Sequence, residues 1–384
     1  MRIVIVGGGP AGLYFSLLLK KQDPSHDVVL FERDAPTDTF GWGIVFSDQT
    51  FEYLRDSDAA SYDAITSACQ QWDNVDVVHR GQKITVRGNK FSGIARIHFL
   101  NVLQQRCLDV GVDLRFREPI SGLAELPPAD LVVGADGANS LVRRERADLF
   151  EPTVDFGRNK YIWLGTRRLF HGLTLTFEQH ASGLYAAHSY KFDDRTSTFI
   201  VECSETTWRR AGLDAMDERA TCEFLQAIFE EHLEGQPLLT NNFVRWLNFP
   251  LVRNVRWHGD RIVLLGDALH TAHFSVGSGT KLALEDAIAL AHACAAVPEV
   301  NGALSLFESN RRPRVEQLQH AALESLRWFE EMDSYMHLDP IPFALSAMTR
   351  SKRIDYDKLR QRDPEFVAEV EHYQRNHAGT GTGT

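Results

Sequence analysis

Apolar residues follow two rhythms along this chain. Near the start, an unbroken run at Ile3-Val4-Ile5-Val6 leads into Gly7 to Gly12, then a helix-periodic stretch from Leu13 to Lys21 and a second run from Asp27 to Phe31. Continuous apolar runs bounded by turn residues are read as strands buried on both faces. The segment therefore predicts strand, turn, helix, strand. Two later runs have the same character: Leu131-Val132-Val133, closed by Gly134-Ala135-Asp136-Gly137, and Ile262 to Leu265, closed by Gly266-Asp267. Between about 150 and 250 the pattern shifts to β-branched and aromatic segments, at Lys160 to Thr166, Leu173 to Phe177 and Ser197 to Glu202, which predict an antiparallel sheet. Helical periodicity returns from about Thr280 to Ala296 and from about Ala303 to Met332.

These elements predict an α/β fold: a Rossmann-like nucleotide-binding domain from 1–150 and 251–330, with an inserted antiparallel-sheet substrate domain at 151–250. A C-terminal helical extension at 331–376 and a disordered tail at 377–384 complete the expected organisation.

Composition narrows the function classes. The 384 residues carry a formal charge of −11, which argues against phosphate-rich nucleic acid as a partner. No apolar run is long enough to span a bilayer, and the chain opens directly on a strand, so a cytoplasmic protein, monomeric or homodimeric, is expected. Five cysteines without a Cys-x-x-Cys pair point to structural thiols and to no metal.

Gly7-Gly8-Gly9-Pro10-Ala11-Gly12 fits G-x-G-x-x-G between a strand and a helix, where backbone amides can approach a pyrophosphate. Glu32, 20 residues after Gly12 and followed by Arg33, stands where a carboxylate accepts from a ribose hydroxyl. Gly7, Gly9, Ala11, Gly12, Glu32 and Arg33 are therefore cofactor-binding candidates. No second such unit follows, so a nicotinamide nucleotide has no domain of its own.

Ile262 to Ala268, followed by Gly277-Ser278-Gly279 and a helix from Thr280, resembles the FAD-dependent aromatic hydroxylases of the para-hydroxybenzoate hydroxylase type. The resemblance implies FAD as cofactor, NADH or NADPH as transient reductant, and O₂ as co-substrate. It places Asp267 at the ribityl chain, Gly277, Gly279 and Thr280 at the flavin ring, Asp136 on the cofactor side, and Arg96 near the diphosphate.

Gly41-Trp42-Gly43-Ile44-Val45-Phe46-Ser47-Asp48 and His273-Phe274-Ser275-Val276-Gly277 are similar to the subgroup that acts on aryl-CoA thioesters, the salicylyl-CoA 5-hydroxylase and 2-aminobenzoyl-CoA monooxygenase type. This resemblance adds Val45 to the cofactor contacts and implies 5-hydroxylation of salicylyl-CoA. The run Asp155 to Trp163 also resembles the indole-ring hydroxylase of violacein biosynthesis, and a flavin reductase or a flavin-binding sheltering protein are the alternatives of another class.

His273, then His270 and His188, are the candidates to take the proton of a ring hydroxyl. Phe274 and Tyr161 are candidate ring contacts, and Arg350, Lys352 and Arg353 form the basic cluster expected to meet CoA phosphates. Arg311, Arg312 and Arg314 are the next cluster.

Overall fold

The structure, a computed structural model, describes residues 1–241 and 244–377; the expected disordered tail lies, but for His377, outside the described residues. Six strands form one sheet in the order His258–Gly259, Ile262–Leu264, Leu131–Gly134, Arg2–Val6, Asp27–Glu32 and Asp113–Phe116. All neighbours are parallel except the first two, which make a short antiparallel hairpin. The continuous apolar runs read from the sequence are these central strands; Ile3 and Ile5 are buried among helices on one face, and Val4, with Val29 and Phe31, is buried on the other under Ile120, Leu126 and Ala129.

The second sheet is larger than the sequence implies. Pro152–Thr166, Ser197–Cys203, Gly183–Lys191 and Leu173–His180 lie side by side, with Leu247–Asn254 paired to the first half of the long strand. Val75–His79 and Gln82–Val86 extend this sheet, although both precede residue 150. Val75–His79 joins Leu173–His180 in parallel, so the sheet is mixed, not purely antiparallel. Period-2 patterning fixes which face of a strand is buried but cannot identify the neighbour, and the crossing strands went unassigned for that reason. A third, three-stranded sheet of Gly43–Ser47, Phe91–Ala95 and Gln70–Trp72 lies between the two.

The helix Pro10–Gln22 follows the first glycine turn, and Gly279–Ala296 packs beside it. The long helix Val300–Glu330 then runs from the first sheet to the second, where Trp328 and Phe329 are buried. The C-terminal extension is not peripheral: Phe343, Ala344 and Ala347 of Pro340–Thr349, with Phe366 and Val370 of Pro364–His377, share one core with Leu175, Phe177 and Ala186 of the large sheet. Phe343 stacks on His79 at 4.0 Å and meets the edge of Phe177 at 4.8 Å. Phe343→Ala is therefore expected to cost about 3–5 kcal/mol, the usual range for emptying a buried phenylalanine site, measurable as a lower midpoint of urea unfolding.

Candidate active site

Three glycine turns meet at the carboxyl ends of the parallel strands. Gly7 has φ +113°, and a Cβ there would lie 2.3 Å from the Ala135 carbonyl oxygen. A Cβ on Gly12 would come within 2.1 Å of the Gly7 oxygen, and one on Gly266, at φ +58°, within 3.1 Å of Ala11 Cβ. Gly7 and Gly12 meet backbone and Gly266, at positive φ, meets the Ala11 methyl, so glycine is required at each and the first, second and third motifs are packed as one unit. Arg143 reinforces it: Nη1 donates to the Ala268 carbonyl at 2.8 Å, and Nη2 donates to that of Ala138.

In front of this unit the backbone is open. No atom lies within 4 Å of the Cβ positions of Gly9, Gly137 or Gly279, and Gly9 and Gly279 stand at the starts of helices Pro10–Gln22 and Gly279–Ala296. Helix N-termini carry about half a positive charge and free N–H groups, which suits a diphosphate or an anionic ring edge. Glu32 Oε2 accepts from Gly8 N at 2.6 Å and Oε1 from Asp34 N at 2.9 Å, so the acid at the second strand end is fixed in place by backbone. Arg33 is exposed beside Asp34.

Arg96 starts the helix Arg96–Asp109, and its Nε is buried without a hydrogen-bond partner among the described residues. Burial lowers its pKa, opposed by the charge of Asp267. Asp267 lines the open cleft; the surrounding protein pushes its carboxyl above the ordinary range, while Arg96 and His270 pull it down. A guanidinium whose Nε has no partner suits a diphosphate, and the Asp267 carboxylate near it suits polyol hydroxyls. Val45 Cγ1 is 3.0 Å from the Cβ position of Gly277, so the small sheet closes the cleft from the far side. Thr280 is half-buried in the first turn of its helix. The Asp136 carboxylate accepts from Ser140 Oγ at 2.5 Å and Leu141 N at 2.6 Å, at the start of the helix Leu141–Glu145.

Beneath the Gly266-Asp267 turn lies a buried charge cluster. Asp286 Oδ2 accepts from Gly266 N at 3.2 Å and is 2.8 Å from His270 Nε2, while Oδ1 accepts from Arg311 Nε at 2.8 Å. Burial would raise the Asp286 pKa, but His270 and Arg311 hold it below its ordinary range.

Where the large sheet faces the cofactor loop, aromatic rings enclose a polar cluster. Phe274 lies 5.0 Å from Tyr161, 5.3 Å from His188 and 6.0 Å from Phe249. Within this cluster His188 Nε2 is 2.8 Å from Glu202 Oε1, with both residues buried. His273 Nδ1 is 2.7 Å from Ser275 Oγ, which is 2.8 Å from Ser325 Oγ. Arg350 Nε donates to Ser325 Oγ at 3.0 Å, and its Nη2 donates to the Ser275 carbonyl at 2.7 Å. Burial pushes His273 down to about 4 against the opposing charge of Glu202, and pushes Arg350 down to about 10. Burial would raise Glu202, yet the hydrogen bond and charge of His188, with His273 and Asn159, keep it below its ordinary range. Tyr161 is pushed up to about 12 by burial and then by Asp267.

A family model described as "FAD binding domain" matches residues 92–322, and one described as "NAD(P)-binding Rossmann-like domain" matches residues 5–42. Salicyloyl-CoA 5-hydroxylase from Streptomyces sp is 42% identical, over 99% of this chain and 75% of that protein. The chain belongs to the FAD-binding aromatic monooxygenases. Protodeoxyviolaceinate monooxygenase from Chromobacterium violaceum is 36% identical, over 92% of this chain and 95% of that protein. The fold is shared with 2-methyl-3-hydroxypyridine-5-carboxylic acid oxygenase, at a TM-score of 0.70 and 20% identity, over 94% of this chain and 97% of that one.

In this monooxygenase FAD reduced by NAD(P)H would supply the activation of O₂, one atom of which enters the ring while the other leaves as water. Among the described residues no helix is long and apolar enough to cross a membrane, and no cluster of side chains fits a metal ion.

Two sequence-based assignments are corrected by the geometry. His270 sits behind the cofactor turn, buried 2.8 Å from Asp286 and 5.7 Å from the Trp257 ring, apart from the aromatic cluster around Phe274. Arg350 does not join Lys352 and Arg353 as a CoA-phosphate cation: its guanidinium is occupied by Ser325, the Ser275 and Ala347 carbonyls and the Phe329 ring at 5.3 Å. Arg311 is likewise buried and paired with Glu285 and Asp286. Glu202, Asp286, Ser275 and Ser325 were missed; an acid in the apolar run Phe199-Ile200-Val201-Glu202 and another in the helix after Gly279 were the available signals.

Asp267→Ala removes a hydroxyl acceptor and is expected to weaken FAD binding by about 1–3 kcal/mol, read by equilibrium titration of the apoprotein with FAD. A second expectation concerns pH. His273 titrates near 4 when folded but near its ordinary 6.5 when unfolded, so as pH falls from about 6.5 the unfolded chain binds the proton first and stability drops. The loss should approach about 2–3 kcal/mol by pH 4.5, and urea unfolding of His273→Gln should show a shallower decline over that window.

Proposed function

We propose that this monooxygenase hydroxylates the ring of an aryl-CoA thioester, converting salicylyl-CoA to gentisyl-CoA by attack at the 5-position. The observation that carries this reading is the 42% identity to salicyloyl-CoA 5-hydroxylase over 99% of the chain. The aromatic cluster around Phe274 supports it: Tyr161, Phe249 and His188 surround Phe274, and the imidazoles of His188 and His273 are buried beside it. Such an enclosure keeps water from an activated oxygen and places the ring, the two demands that this chemistry makes on a protein. Glu32, Arg96, Asp267, Gly277, Gly279 and Thr280 are the proposed FAD contacts.

With Arg350 withdrawn, Lys352 and Arg353 remain as proposed contacts to the CoA phosphates. Both are exposed; Lys352 pairs with Glu324 at 2.5 Å, and the charge of Arg353 is felt by Lys281 at the start of the flavin-side helix. Remote phosphate contacts would contribute binding energy that positions the ring. A reaction consuming CoA thioesters and NAD(P)H fits the cytoplasm, with the protein acting as a monomer or homodimer.

Wild-type enzyme should hydroxylate salicylyl-CoA with kcat/KM well above that for free salicylate, followed by mass spectrometry of the product together with oxygen uptake. Equal efficiency on the two substrates removes the thioester reading, and preferential oxygenation of an indole-derived ring would install the second one, for which the 36% likeness to protodeoxyviolaceinate monooxygenase speaks. Lys352→Ala with Arg353→Ala should raise KM for salicylyl-CoA by about 0.5–2 kcal/mol in binding, an effect that shrinks as salt increases.

A further inference from the structure

We propose that the two imidazoles of the chamber have opposite roles, fixed by the buried charge behind each: Glu202 makes His188 the acceptor of the ring hydroxyl's proton, and Arg350, acting through Ser325 and Ser275, makes His273 a neutral hydrogen-bond donor. The inference rests on the reading above only in requiring a hydroxyl on the substrate ring.

Strand alternation puts the acid in the chamber. Glu202 lies opposite Tyr161 on one neighbouring strand and Ala186 on the other, while Ile200, two residues earlier on the same face, lies opposite Trp163 and His188. Glu202 is fully buried among these residues, and the group closest to its carboxylate is the His188 ring at 2.8 Å. A carboxylate accepts and cannot donate, so His188 Nε2 must carry the hydrogen and Nδ1 is left with its lone pair. Protonation of Nδ1 then creates an imidazolium beside a carboxylate, which is stabilised where an isolated buried cation would not be.

His273 is held the other way round. Arginine has only donors, so Ser325 Oγ accepts from Arg350 Nε. If Ser325 then donates to Ser275, and Ser275 to His273 Nδ1, every hydrogen along the chain has an acceptor. The reverse order leaves the Ser325 hydrogen with no acceptor among the contacts of this chain. His273 Nδ1 is thus already engaged as an acceptor, and Nε2 carries the proton. Burial opposes a second proton on the ring most strongly; the charge of Glu202 favours one, and His188 and Arg350 add smaller opposition.

The proton balance is simple. The O–H bond of the substrate breaks, its electron pair stays on oxygen, and the proton moves to His188 Nδ1. The phenolate that results is the more electron-rich ring, and a neutral N–H donor at His273 suits an anionic oxygen. The titratable and charged groups facing His188 are Glu202 and Tyr161 on the sheet, His273 on the cofactor loop and Arg350 after Pro340–Thr349; the long helix contributes the Phe329 ring at 4.7 Å.

The test reads ionisation of a bound phenol instead of turnover. FAD-loaded wild type, His188→Gln, Glu202→Gln and His273→Gln are titrated with salicylyl-CoA, and in parallel with salicylate, and the phenolate band is followed by difference absorption across pH. In wild type the bound phenol should ionise at lower pH than in solution. Glu202→Gln, nearly isosteric, should raise that pH by about one unit or more, and His188→Gln should abolish the downward shift. His273→Gln should keep the ionised band while weakening binding of the phenolate. Loss of the band in His273→Gln with its retention in His188→Gln or Glu202→Gln overturns the proposal. Should His188→Gln fail to retain FAD, Glu202→Gln decides alone. The same pattern with salicylate as with its thioester keeps this result separate from the choice of substrate, which the product assay decides.

Discussion

The site depends on the close approach of Gly7, Ala135, Gly266 and Ala11 at the ends of three parallel strands. A Cβ on Gly7 would strike the Ala135 backbone and one on Gly266 the Ala11 methyl, so the turns are packed against one another. That shared packing fixes the positions of two helix N-termini and of Asp267, so the polar groups that receive a flavin dinucleotide are set by the interior of the sheet and not by the mobility of surface loops. Helix Gly279–Ala296 is held to the same unit through Asp286, which takes the Gly266 amide on one oxygen and Arg311 on the other.

The same residue types do different work on the two sides of the cofactor loop. Asp286 pairs with Arg311 and takes the Gly266 amide, with His270 2.8 Å away, and the effect of this buried cluster is to pin a turn. Glu202, His188, His273 and Arg350 form a second, in which the acid lies against His188 and the guanidinium reaches His273 through Ser325 and Ser275. Buried charge is costly to separate from water, and a cluster that leaves it incompletely paired is the more informative about chemistry. Position along the loop did not distinguish His270 from His273, which are three residues apart.

The C-terminal extension takes part in the site. Phe343 and its neighbours seat Pro340–Thr349 on the large sheet, and this seating delivers Arg350 to Ser325 and to the carbonyl of Ser275. In sequence Arg350 stands next to Ser351-Lys352-Arg353 and reads as one of a basic surface run. In space Lys352 and Arg353 remain exposed while Arg350 turns inward over Phe329, because the helix ends there and the chain changes direction.

The sequence by itself determined what depends on neighbouring residues: the βαβ start, the apolar strands closed by glycine turns, the acid after the second strand, and the family that these spacings mark. Those features are legible because turn geometry and strand burial act over a few residues and leave a local pattern. Tertiary structure alone decided the pairing of Val75–His79 with Leu173–His180, the inward turn of Arg350, and the separation of His270 from His273 and His188. Each of these is a contact between segments far apart in the chain, and hydrogen-bond partners at such distances are chosen by packing, which composition and periodicity do not encode.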